Sequence, residues 1–144
     1  MQNTTTFIRN ATQGDSSAII TIWEECNLVG SWNNPPEDIT TALGNPKSTI
    51  LLLCNETRII GTVLVGFDGH RGWVYYLAVA KEFQKMGFGK TLVFEAEKWL
   101  KENNVPKMNL MIRTANIKVK EFYESMKYIQ SDVITMEKWL NKGE

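Results

Sequence analysis

The stretch QKMGFGKT, Gln84 to Thr91, sets two glycines and two lysines directly ahead of a helical pattern. A segment of this kind points to a phosphate ligand. A nucleoside-triphosphate loop requires a glycine five residues before its Gly-Lys-Thr, because the backbone must curl round the phosphates. Gly89-Lys90-Thr91 supplies that ending, but Gln84 stands at the required position. A dinucleotide fingerprint requires a third small residue three positions after its second glycine, so that the helix packs closely on its strand. That position holds Leu92. Both devices fail. A simpler cradle remains, in which Gly87 and Gly89 let the main chain approach a ligand. The unpaired N–H groups of the first helical turn suit a diphosphate, with Lys85 and Lys90 adding charge. On spacing alone, a plain glycine turn ahead of a helix explains the same residues.

Immediately before the cradle, WVYYLAV reads as a strand ending at Val79. After it, Leu92, Val93, Ala96, Trp99 and Leu100 mark one face of a helix that should end near Asn103–Asn104. Upstream, STILLLC and RIIGTVLVGF are β-rich runs separated by NET, a hairpin signal, and DGHRG turns into the next strand. TFIRNAT predicts a short first strand. In GDSSAIITIWEEC, Asp15 or Ser16 offers an N-cap, and Ile19, Ile22, Trp23 and Cys26 recur at helical spacing. NLVGSWNNPPED is a loop in which Pro35 or Pro36 opens a second short helix through Leu43. Downstream, MNLMI predicts a strand, and Val119, Phe122, Tyr123 and Met126 a helix. YIQSDVITM then predicts a closing strand. With no repeat, linker or low-complexity tract, residues 1–144 read as a single mixed α/β domain.

The totals agree with one globular domain: 144 residues, 43% hydrophobic and 22% charged. Sixteen basic residues balance sixteen acidic ones, so net charge offers no argument for nucleic acid or a membrane surface, and neither partner is expected. Cys26 and Cys54 are far apart, and His70 is the single histidine, which excludes a Cys/His zinc site; no metal is expected. Both cysteines read as small buried hydrophobes in a reducing compartment. MQNTTTFIRNATQGD has no apolar signal core, and no run approaches the ~20 apolar residues of a membrane span. The expected location is cytoplasmic.

The run YYLAVAKEFQKMGFGKTLV resembles the central motif of the GNAT N-acetyltransferase family: a strand ending in Leu-Ala-Val, a short loop, then Gln/Arg-x-x-Gly-x-Gly/Ala opening a helix. Asn116 followed by EFYESMKY is similar to a second family motif, Asn-x(6)-Tyr, at the expected separation. The element order fits as well, so the similarity spans nearly the whole chain. The resemblance implies an α+β fold with a mixed, mostly antiparallel central sheet flanked by helices. It implies a bacterial acyltransferase that moves an acetyl group from acetyl-CoA to a primary amine by direct attack on the thioester.

The resemblance also assigns residues. Backbone N–H groups of Lys85, Met86, Gly87, Phe88, Gly89 and Lys90 hold the pyrophosphate, and Gln84 opens the turn. Main chain at Leu77, Ala78 and Val79 pairs with the pantetheine arm like an extra strand, and an N–H there polarises the thioester carbonyl. Asn116 hydrogen-bonds the arm, and Tyr123 lies beside the sulfur. A phenol near 10 is a weaker acid than a thiol near 8.5, so Tyr123 is assigned a hydrogen bond to the departing sulfur. From the residues alone, Tyr123 also fits core packing and Asn116 a helix cap.

The chain departs from the family pattern in two places. Many relatives carry a glutamate in the fourth strand where this chain has Tyr75. Asp68 and His70 are then the nearest titratable candidates for a general base, although a histidine in a Gly-rich hairpin also reads as merely solvated. Lys127 stands where the family has glycine after its helix, a position favouring a left-handed backbone. For the acceptor, the loop LVGSWNNPPED is the expected wall, with Trp32, Asn33 and Glu37 lining it; Trp32 fits a plug beneath the loop as well. The acceptor amine belongs to a small molecule or a protein, and homodimers are common in such folds. The rival reading is an acyl-CoA-binding or sensor module without turnover. The missing glutamate favours it, and Tyr123 and Asn116 oppose it.

Overall fold

Strands Ser48–Cys54 (β2) and Ile59–Phe67 (β3) pair antiparallel across the NET turn and form the centre of a sheet. In this computed structural model, which describes residues 5–141, the sheet has five strands in the order β1-β2-β3-β4-β5. The others are β1 (Phe7–Asn10), β4 (Gly72–Val79) and β5 (Met108–Asn109). All neighbours are antiparallel except β4 and β5, which run parallel. The described residues divide after Met111 into two compact units.

The first unit holds the sheet and three helices, each where sequence chemistry asks for it. Helix α1 (Ser16–Glu25) buries Ile19, Ile22 and Trp23. Asp15 stands at its N-cap, but the Asp15 carboxylate binds Arg9 and the Thr12 N–H instead of capping. Helix α2 (Pro35–Leu43) opens on proline, whose missing N–H costs nothing in a first turn. Asn34 caps it by accepting from Glu37 N. Helix α3 (Phe88–Glu102) buries Leu92, Val93, Ala96 and Leu100 and ends at Asn103.

The strands alternate between two covered faces. Thr62 on β3 meets α1, where Trp23 Nε1 donates to its hydroxyl at 2.9 Å. Gly61 faces α3 so closely that a Cβ there would lie 2.9 Å from the Leu92 side chain, and a Cβ on Gly72 would meet Leu100 at 2.5 Å. Small residues on the sheet thus let α3 settle on it. Trp23, Ile19, Ile39, Ile50, Leu52, Ile60 and Leu92 are all fully buried. Burying each such side chain stabilises the fold by roughly 1.5–3 kcal/mol.

The second unit contains α4 (Ile117–Glu124), capped by Asn116, whose side chain accepts from Val119 N at 3.4 Å. Tyr123 is buried, edge-on to Phe122 and Tyr128 with ring centroids at 5.1 and 5.5 Å. Lys127 does take the left-handed conformation, with φ of +73°.

Two expectations need correction. MNLMI contributes only Met108–Asn109 to the sheet. YIQSDVITM forms no strand among the described residues, and Ile129, Val133, Ile134 and Met136 are exposed. β-Rich composition describes fitness for a paired, half-buried surface, and no strand of the described residues takes this segment into the sheet. No helix of the described residues is long and apolar enough to cross a membrane.

Candidate active site

The site begins with an irregularity in β4. Leu64 pairs with Tyr75 and Thr62 with Ala78, so β3 advances two residues while β4 advances three. The extra residue is a bulge, and Tyr76 sits in it at φ of +55°, a left-handed backbone that an aromatic residue enters only at a cost. On the other side of β4, pairing with β5 stops at Trp73–Asn109. No strand of the described residues pairs with that edge from Val74 to Val79. Main chain at Leu77, Ala78 and Val79 therefore lies along an open edge able to accept an extended ligand as another strand.

The strand ends in a turn built for close approach. After Ala80, a short 3-10 turn (Lys81–Phe83) buries Phe83, with the Arg58 guanidinium 5.3 Å above its ring and Arg58 ion-paired to Glu82. Gln84 Nε2 donates to the Val79 carbonyl oxygen at 2.8 Å, tying the turn to β4. Lys85 and Gly87 then take φ of +65° and +87° around Met86. The first amide of α3 with a main-chain acceptor is Thr91, to Gly87 O at 3.2 Å. From Lys85 to Lys90, six successive N–H groups have no main-chain acceptor among the described residues. Unpaired amides at such a turn, at the positive end of a fifteen-residue helix, favour an anion. They fit a diphosphate, and the open edge beside them fits its organic arm. Cys26 borders the turn, its thiol 3.3 Å from the Val79 oxygen; burial pushes that thiol up.

The remaining expected residues fall in three places. Asp68 accepts from His70 N, Arg71 N and Trp73 Nε1, at 2.9, 2.8 and 3.3 Å. Those backbone donors hold its carboxyl below the usual range, and Asp68 and His70 are both exposed. Both sit in the turn before Gly72, seven residues along β4 from Val79, or roughly 23 Å at strand rise. The structure does not bring them to the cradle. Asn116 and Tyr123 belong to the second unit, where burial pushes the Tyr123 phenol up to about 12. Trp32 is half-exposed over Gly30, and Glu37 is exposed in the first turn of α2.

Asn33 leads to a cluster that the sequence did not reveal. Its amide accepts from Gly30 N at 2.9 Å and donates to Leu28 O at 2.8 Å and to the Tyr76 hydroxyl at 2.7 Å. The Tyr76 hydroxyl in turn donates to Asp38 Oδ2 at 2.6 Å. The Tyr76 ring lies flat on Trp23, with centroids 3.6 Å apart and planes within 7°. Thr62 completes the set, accepting from Trp23 and donating to Tyr76 O at 2.8 Å. Burial and then the bond to Asp38 push the Tyr76 phenol well above its ordinary value. One local signal existed: Tyr75-Tyr76 puts two bulky aromatics side by side where a regular strand would send them to opposite faces.

Comparison with known proteins agrees with this geometry. Residues 17–128 match the profile of the acetyltransferase (GNAT) family. An acetyltransferase of Pectobacterium atrosepticum is 39% identical over 133 residues, covering 92% of this chain and 94% of its own. Among solved structures, an aminoglycoside acetyltransferase from an uncultured soil metagenomic sample, in complex with sisomicin, superposes with a TM-score of 0.77 at 17% identity. That superposition covers 94% of this chain and 97% of the other. AAC(6')-Iy, in complex with the bisubstrate analogue CoA-S-monomethyl-acetylneamine, gives 0.79 at 10% identity over 94% and 98% of the two chains. An open fourth strand running into an amide-lined turn, a sheet of this order and a relative matched almost end to end lead to one conclusion: the chain belongs to the acetyltransferase (GNAT) family.

Proposed function

We propose that this acetyltransferase takes its acetyl group from acetyl-CoA and transfers it to a primary amine by direct attack on the thioester. The observation that carries this reading is the adjacency of the unpaired β4 edge and the six free amides from Lys85 to Lys90. The amides bind the pyrophosphate. The edge at Leu77, Ala78 and Val79 orients the pantetheine arm, and one of its N–H groups stabilises the oxyanion as the amide C–N bond forms and the C–S bond breaks. The proton lost by the amine leaves through water. His70 and Asp68 are assigned no part in that transfer, because they lie at the far end of β4. Asn116 and Tyr123 rest on the family resemblance alone. Tyr123 is given a hydrogen bond to the leaving sulfur, since a phenol raised to about 12 is a poor proton donor. Trp32, Asn33 and Glu37 are assigned to the acceptor side, and the acceptor is an amine on a small molecule or a protein.

We further infer that 1–144 acts as one N-acetyltransferase domain, since the family match runs across the division after Met111. Two free thiols suit the reducing cytoplasm as its location. The test is a thermal-shift titration with acetyl-CoA, CoA, ATP and NADH, followed by release of free thiol from acetyl-CoA in the presence of an amine panel. At about 100 times its dissociation constant a ligand adds about 2.7 kcal/mol, a shift of several degrees. Stabilisation by the two coenzymes alone, with amine-dependent thiol release, is the expected result. Stabilisation without release under any amine supports the alternative, a binding or sensor module, which Tyr75 in place of a glutamate favours. No response to either coenzyme overturns both.

A further inference from the structure

Tyr76 is restrained at more points than a packing residue needs. Its backbone is left-handed, its ring lies flat on buried Trp23, and its carbonyl accepts from Thr62. Its hydroxyl accepts from Asn33 and donates to Asp38. Such over-determination of a costly conformation belongs to sites where position matters. The phenol has no donor left. The carboxylate it holds still has capacity: Asp38 is half-buried, its Oδ2 is taken, and its Oδ1 has no hydrogen-bond partner among the described residues. The ion pairs Arg9–Asp15 and Arg58–Glu82 lie elsewhere and leave Asp38 out. A negative charge is thus fixed by one oxygen and free at the other. It sits over the α1–α2 side of β4, at the residue where the strand bulges beside its open edge.

We propose that Asp38, positioned by Tyr76 and Asn33, is the specificity residue of the acceptor site, and that it binds a cationic group of the acceptor which is not itself acetylated. The reacting amine must be uncharged to attack, so a fixed carboxylate best serves a group that keeps its charge throughout. The acceptor class is then a diamine or polyamine: one amine reacts and another stays protonated on Asp38 Oδ1. This rests on the acetyltransferase reading.

The experiment compares steady-state acetylation of mono- and dicationic amines of matched length, 1,4-diaminobutane against butylamine and their homologues. It uses wild type, Asp38→Asn and Tyr76→Phe, with acetyl-CoA thermal shift measured on each. Asparagine still accepts from Tyr76, so Asp38→Asn keeps the fold and loses only the charge. A charge-assisted hydrogen bond corresponds to roughly a tenfold to hundredfold preference. Wild type should favour the diamines by that factor. Asp38→Asn should lose the preference through KM for the diamine, with kcat, the monoamine constants and the acetyl-CoA shift held. Tyr76→Phe, which frees the carboxylate without removing it, should show a partial loss. An unchanged preference in Asp38→Asn would make the pair a structural tie between α2 and β4 and overturn the proposal. So would a wild type that binds acetyl-CoA yet prefers monoamines, or acetylates no diamine. Failure of wild type to bind acetyl-CoA would instead overturn the underlying acetyltransferase reading.

Discussion

Gln84 Nε2 lies 2.8 Å from the carbonyl oxygen of Val79, so the residue that opens the amide turn is fastened to the last residue of the strand beside it. Strand and turn are thereby held in one frame. Gln84→Ala removes that tie while leaving every cradle amide in place. The expected outcome is a stability loss of about 0.5–1.5 kcal/mol and a severalfold rise in the dissociation constant for CoA. Thermal melts and calorimetric titration on the same preparation check both, and unchanged CoA affinity would show that the tie serves only the fold.

The two left-handed residues of the turn should respond in opposite directions. Gly87 at φ of +87° has open space where a Cβ would go, so Gly87→Ala suffers from backbone strain alone, about 1–2 kcal/mol. Lys85 already carries that strain at φ of +65°, and Lys85→Gly should recover up to about 1 kcal/mol. Chemical denaturation midpoints measure both.

Thr62 is fully buried and links Trp23 to Tyr76 through one hydroxyl. Thr62→Val preserves shape and strands the indole N–H, so it should destabilise by about 1–3 kcal/mol. Intrinsic tryptophan fluorescence followed through urea unfolding would report it.

Acid sensitivity should be traceable to Asp15. Arg9 holds its carboxyl down to about 2, below the unfolded value of 3.8. A depressed folded value contributes stability that is present above the unfolded value and lost as pH falls through about 2. Arg9→Gln should therefore lower the melting temperature at pH 7, with the gap to wild type closing between pH 4 and pH 2. Because the Arg9 side chain is exposed to solvent, the gap should be small and should shrink with salt.

Tyr123→Phe tests the assignment to the sulfur. Loss of one hydrogen bond to a departing thiolate should lower kcat by roughly tenfold to a hundredfold while the KM for acetyl-CoA holds. A variant with unchanged kcat would return Tyr123 to the packing role that its burial and its contacts with Phe122 and Tyr128 already describe.

Local chemistry made much of this legible. Gly87, Pro35 and the spacing of Leu92, Val93, Ala96 and Leu100 act within short stretches of chain, and each element they predict is present. Asp38 and Tyr76 are 38 residues apart and meet only because α2 lies against a bulged strand, which no periodicity encodes. YIQSDVITM fails for the related reason that a strand is defined by its neighbour. His70 and Asp68 are close in sequence to Tyr75, but β4 extends away from them towards the cradle.

The bulge at Tyr76 also acts as a parity switch. Gly72, against Leu100, and Val79, paired with Gly61 against Leu92, turn to the same side of the sheet although an odd number of steps separates them. Regular alternation would send them to opposite sides. Removing Tyr76 would leave six steps, and a regular ladder would then keep Val79 beside Gly61 and Ala78 beside Thr62, as they are now. The extra residue is therefore spare to the ladder: it leaves both halves of β4 in step with β3 and hands one aromatic side chain to Trp23 and Asp38.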